Sequence, residues 1–170
     1  MLRPPVSEQD HTRGAVNAQV QILEFGDYQC PHCGIAEPYV EKIYQDFGSV
    51  ASISFRNFPL ADMHEYAMPA ACAAEAASLQ GKFWEMHDLI FANQDRLSPR
   101  LFIEIADSLE LDIQKFETDM NSETVINKIK NDFESGAKSG VNGTPSFYIN
   151  GQKFEGSGDD LYHLIAENVS

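Results

Sequence analysis

Residues Val20 to Gly34 read VQILEFGDYQCPHCG. The opening six, VQILEF, have the apolar and β-branched character of a short strand. Beyond the CPHC, the residues Ile35, Tyr39, Ile43 and Phe47 recur at helical spacing. They lead to Gly48, a residue suited to a helix C-cap. Pro38 falls inside this helix and is expected to kink it. Val50 to Phe58 (VASISFRNF) alternates through Ile53 and Phe55 and is closed by Pro59, which predicts a second strand. Strand, helix, strand at this spacing is a βαβ unit, whose crossover is expected to be right-handed. Cys30 therefore falls where a strand gives way to a helix.

From Leu60 onward the texture becomes helical. Pro69 can open AACAAEAASLQ, and Gly81 separates it from KFWEMHDLIFANQ. Ser98-Pro99 reads as an N-cap followed by a first-turn proline, leading to Leu101, Ile105 and Leu109. Asp112 can cap a short turn holding Ile113 and Phe116. Ser122 can cap a helix with Val125, Ile129 and Phe133 on one face. Strand signals return with SFYI (Ser146 to Ile149), the turn Asn150-Gly151 and QKF (Gln152 to Phe154), a hairpin signature. Asp159 opens a last helix whose Leu161, Leu164 and Ile165 are expected to face inward. The order β-α-β, helical insert, β-β-α predicts an α/β thioredoxin fold with an inserted all-helical domain. The thioredoxin-like part is assigned to residues 1–59 and 140–170, with an N-terminal extension over 1–18, and the insert to 60–139.

A chain of 170 residues, 43% hydrophobic, can bury a core without disulfide staples. Its net charge of -14 argues against nucleic acid, which calls for clustered Lys and Arg, and against anionic membrane surfaces. The N-terminal MLRPPVSEQDHTRG has no apolar stretch and carries two early prolines, so it does not read as a signal peptide. No run approaches the ~18 apolar residues of a membrane helix. The expected location is cytoplasmic for the chain as it stands, and periplasmic or secreted for a trimmed mature form. Three cysteines do not make a disulfide framework.

Two cysteines separated by two residues can be half of a zinc site, a small structural disulfide, or a redox pair. Zinc normally takes four ligands, and the remaining Cys72, His64, His87 and His163 stand at no recognisable metal spacing. A disulfide closing so small a loop removes little chain entropy. The position at a helix start favours the third reading. There the macrodipole and the first N–H groups stabilise a thiolate, the nucleophile of disulfide exchange. Cys33, one turn on, can attack the resulting mixed disulfide. No metal and no cofactor is expected beyond a redox-active Cys30–Cys33 disulfide. Cys72 in AACAAEAA reads as a small core residue, and FWEMHDLIF as the insert's own core.

CPHC after a short strand, GTPSFYING near the far end and a helical block between them resemble the DsbA-like thiol:disulfide oxidoreductases of bacteria. DHTRG, FRNFPL and QGKFWEMHDLIF are patterns shared with the short members that lack a signal peptide. The likeness runs from about Asp10 to Glu167. It implies that Cys30 attacks, that Cys33 resolves, and that His32 further stabilises the Cys30 thiolate. It implies for Glu24 the place of the family's buried acid, assisting proton transfer at Cys33. Period-2 alternation alone would equally let Glu24 point outward. Thr144-Pro145 corresponds to the family's cis-proline loop, which with Pro31 would bind an extended substrate. Thr before that proline, where secreted oxidases carry Val, is commoner in isomerase- and reductase-like relatives.

The leading expectation is thus a protein disulfide oxidoreductase acting on substrate proteins or low-molecular-weight thiols, served by a redox partner that the sequence leaves open. The alternatives are a thioredoxin-fold module that binds peptides as a chaperone does, and a glutathione transferase of the kappa type. The latter shares the fold but usually lacks a CxxC.

Overall fold

The computed structural model describes residues 1–169. By internal contacts the chain forms two compact units, one of residues 1–26, 31–56 and 134–170, the other of 27–30 and 57–133.

The first unit holds a five-stranded sheet in the order β1-β3-β2-β4-β5. Its strands are β1 (His11–Gly14), β2 (Val20–Gly26), β3 (Ala51–Asn57), β4 (Ser146–Ile149) and β5 (Gln152–Phe154). β2 pairs antiparallel with β4, setting Glu24 opposite Phe147, and β1 pairs antiparallel with β3. The β4–β5 hairpin turns on Asn150 and Gly151, both at positive φ (49° and 82°), as a two-residue Asn-Gly turn requires. Two helices, α1 (Pro31–Phe47) and α7 (Gly158–Val169), cover one face. Ala36, Val40 and Ile43 of α1 meet Leu161 and Ile165 of α7 over Ile22, Ile53 and Phe147.

The opposite face is closed by the N-terminal segment and the end of α6 (Glu123–Ser139). There the Tyr148 hydroxyl donates to the Ser139 carbonyl at 2.7 Å, and the Tyr148 ring meets Phe25 edge-on. Arg56, buried at the end of β3, donates twice to Asp10 (2.7 and 2.8 Å). It also donates to the carbonyls of Pro4 and Pro5 and to Ser135 Oγ. A buried guanidinium needs such complete pairing to offset its desolvation.

The second unit is helical: α2 (Ala67–Ser78), α3 (Phe83–Ala92), α4 (Pro99–Ser108), α5 (Ile113–Met120) and α6 as far as Phe133. The capping residues act as their sequence predicts. Ser98 Oγ accepts from Leu101 N, Asp112 Oδ1 from Lys115 N, and Ser122 Oγ from Val125 N. α2 is buried nearly all round because small residues line it, Cys72 among them.

Two expectations, for Ile35 and Leu164, are corrected. The buried stripe of α1 is Cys33, Ala36, Glu37, Val40 and Ile43, whereas Ile35 is 67% exposed. The reason is close packing: a Cβ on Gly158 would sit 3.0 Å from Ala36 Cα, so only small residues fit that contact. In α7, Leu161 and Ile165 are buried and Leu164 is on the surface. Phe133 is also partly exposed, its ring stacked on Phe58 at 4.2 Å. Within residues 1–18, His11–Gly14 forms a strand that no apolar alternation announces, made by pairing with β3.

Candidate active site

Cys30 is placed by a turn built on Asp27. The Asp27 carbonyl accepts from Cys30 N at 3.1 Å, and its carboxylate accepts from Gln29 N at 2.8 Å. Asp residues favour such turns because the side chain bonds its own backbone two residues on. Four groups of the helical unit hold the turn. Leu60 N and His64 Nδ1 reach Asp27 Oδ2 at 3.0 and 2.8 Å. Gln94 Nε2 donates to both the Tyr28 and Cys30 carbonyls, at 3.0 and 2.8 Å. Tyr66 N donates to Gln29 Oε1. The Tyr28 ring packs against His87 and Phe91.

The chain then enters α1 at Pro31, whose ring suits a first helical position. Cys30 is buried (5% exposed), Cys33 wholly so, and Pro31 and His32 are exposed. The first turn of α1 carries no acidic side chain, so nothing on the helix itself competes with an anion at its start.

Glu24 is 1% exposed. It shares the parity of Ile22 and lies opposite Phe147, both of which pack under α1 and α7, so its side chain points to the helix-covered face. Gly26 is needed beside it. A Cβ there would meet the Phe55 ring at 2.4 Å and Glu24 Oε1 at 3.2 Å. Thr144 and Pro145 are half-buried, and the bond between them is cis, as is Arg3–Pro4. They border a groove of about 500 Å³ together with His32, Ile35 and Tyr39 of α1 and Asp159 at the start of α7. The exposed Ile35 thus lines a groove wall.

The structure thus puts His32, Thr144 and Pro145 around one groove. Cys33 and Glu24 lie in the buried layer of the sheet unit, and Cys30 in the turn held by the helical unit. Glu37 escaped the sequence reading, although its place four residues after Cys33 puts it on the same buried stripe. Asp27, His64 and Gln94 escaped it too. Only the Asp in DYQCPHC, a turn former before the helix, was a usable signal.

The family model described as thioredoxin matches residues 6–166. The chain belongs to the thioredoxin family. Among solved structures, BdbD of Bacillus subtilis superposes with a TM-score of 0.83 at 24% identity, covering 96% of this chain and 94% of that one. The thiol-disulfide exchange protein alpha-DsbA2 of Wolbachia pipientis gives 0.82 at 21%, covering 95% and 88%. A thioredoxin-like oxidoreductase of Silicibacter pomeroyi gives 0.75 at 25%, covering 96% and 95%. The fold is the DsbA-like form of the thioredoxin fold. Curated relatives include Na(+)/H(+) antiporter NhaA 3 of Salinispora tropica, 41% identical over 156 residues. The chain spans about a quarter of that relative's length (24%) and 92% of its own. No helix among the described residues is long and apolar enough to cross a membrane.

Proposed function

We propose that the chain is a thiol:disulfide oxidoreductase working through Cys30 and Cys33. The observation that carries this is the placement of Cys30 at the start of a helix whose first turn is without acidic side chains, with Cys33 one turn inside. The Cys30 thiolate attacks one sulfur of a substrate disulfide, and the other substrate sulfur leaves as a thiolate. Cys33 gives up its proton and attacks the Cys30 sulfur. This forms the Cys30–Cys33 disulfide and releases the second substrate thiolate. The substrate gains two electrons and the protein loses two; the reverse sequence oxidises a substrate dithiol.

In this scheme the exposed His32 stabilises the thiolate and the buried Glu24 accepts the Cys33 proton. Pro31, Thr144 and Pro145 bind an extended substrate, a role supported by the groove that His32 and the Thr144–Pro145 loop share. The substrates are proteins or small thiols.

The test is reduction of a protein disulfide by the wild type, Cys30→Ser and Cys33→Ser. Cys30→Ser is expected to abolish turnover and Cys33→Ser to accumulate a mixed disulfide. Full activity in Cys30→Ser, or none in the wild type in either redox direction, overturns the proposal in favour of a peptide-holding module. The reduction potential of the pair against glutathione buffers assigns the direction: near the cytosolic poise for a reductase or isomerase, well above it for a disulfide donor.

The antiporter relatives favour a second reading of the substrate. In it the chain works beside a membrane cation transporter, whose extramembrane cysteines it exchanges with. Cys33→Ser incubated with membranes holding such a transporter is expected to trap it as a reducible adduct; its absence among the trapped proteins removes this reading.

A further inference from the structure

The Asp27 carboxylate has no side-chain exposure and accepts from Gln29 N and Leu60 N, and the His64 ring, which can carry positive charge, lies at 2.8 Å from it. A carboxylate removed from water costs several kcal/mol unless hydrogen-bonded and paired. The Asp27 main-chain carbonyl accepts from Cys30 N at 3.1 Å, so the residue bearing this carboxylate is held in the same turn as Cys30, three positions before it. Two negative charges carried by one turn oppose each other. His64 is 16% exposed along its side chain, so its ring reaches both solvent and Asp27.

Gln29 and Gln94 are neutral, and Asp62 and Glu65 beside His64 are exposed acids. His87 of α3 packs on Tyr28 and bonds Asp88.

We propose that His64 is a positioning residue for the Cys30 chemistry: through Asp27 it fixes the turn from Asp27 to Cys30 and offsets a buried charge that would otherwise oppose the Cys30 thiolate. This rests on the redox reading of Cys30.

The experiment is an ultraviolet thiolate titration of the reduced protein, with Cys30→Ser identifying the Cys30 wave, run on His64→Gln, His64→Lys and the double variant Asp27→Asn/His64→Gln. Urea unfolding of each serves as the fold control. His64→Gln is expected to move the Cys30 wave upward by about one pH unit, tenfold in thiolate fraction. His64→Lys, which keeps the charge, is expected to restore it, and so is the double variant, which removes the charge to be offset. A Cys30 wave unmoved in folded His64→Gln overturns the proposal. So does an equal upward shift in His64→Gln and His64→Lys, which would make the ring a structural fitting only. Where His64→Gln does not fold, a double variant whose Cys30 titrates above the wild type overturns it. A wild-type Cys30 that titrates as an ordinary thiol speaks instead against the redox reading itself and needs no variant to detect.

Discussion

At the scale of single residues Cys30 and Cys72 are expected to separate cleanly. Burial, with Glu75 nearby, pushes the Cys72 thiol up to about 11. That raised value favours the fold fully below about 9, and the gain is lost as pH rises through about 11. Cys30, at a helix start, is expected to titrate below the ordinary ~8.5 of a thiol. A thiolate titration should therefore show one wave on the acid side of ~8.5 and a second near 11. His32→Ala should shift only the first, toward the ordinary value. Each unit of that shift is worth about 1.4 kcal/mol and makes the couple about 30 mV more reducing. A first wave at or above ~8.5 in the wild type sinks this expectation. Glu24→Gln should slow release of the second substrate thiol and leave the first attack by Cys30 near its wild-type rate. Stopped-flow traces with equal resolution rates in both proteins would reduce Glu24 to a packing role. The CPHC motif was legible because its chemistry is local. The Asp27–His64 and Gln94–Cys30 bonds were not, since they join positions 37 and 64 residues apart.

Among the elements, the helix starts were legible and the helix faces only partly. Ser98, Asp112 and Ser122 each bond a backbone N–H three residues on, a rule that refers to nothing outside the turn. The faces of α1 and α7 depend on each other across a close approach, so a list of large apolar residues picks Ile35 and Leu164 wrongly. Gly158→Ala probes this contact. Its Cβ would fall 3.0–3.1 Å from the backbone and Cβ of Ala36. The expected cost is about 1–3 kcal/mol by urea unfolding, and an unchanged midpoint would mean that the helices part easily. In α6, Asp132 is buried and accepts from Lys128 and from the backbone and amide of Asn57, which also donates to Glu75. Burial raises its pKa, with Lys128 opposing. The stabilisation it gives is complete below the ordinary carboxylate value and fades as pH rises through the raised one. Urea midpoints should fall across that window in the wild type and fall less in Asp132→Asn; parallel profiles would contradict this.

For the whole molecule, the alternation of strand and helix signals was enough to predict an α/β thioredoxin fold, because the β2–α1–β3 and β4–β5–α7 runs are each continuous in sequence. β1 lay beyond that reach: HTRG has no pattern of its own and becomes a strand only because β3 offers it an edge. That pairing has a consequence for how the protein behaves in concentrated solution. Every residue of β3 is buried, whereas the strands that end the sheet are four and three residues long, and β1 carries His11 and Arg13. Short, polar borders leave little template for a neighbouring chain to extend. Removing residues 1–14 would unmask a seven-residue strand, buried along its whole length, as the border of the sheet and leave Arg56 without Asp10. The shortened protein is expected to precipitate or form higher-order species on concentration, measured by light scattering, where the intact chain remains monodisperse. The fourteen residues with the least to say in the sequence would then be the ones that keep the sheet from growing.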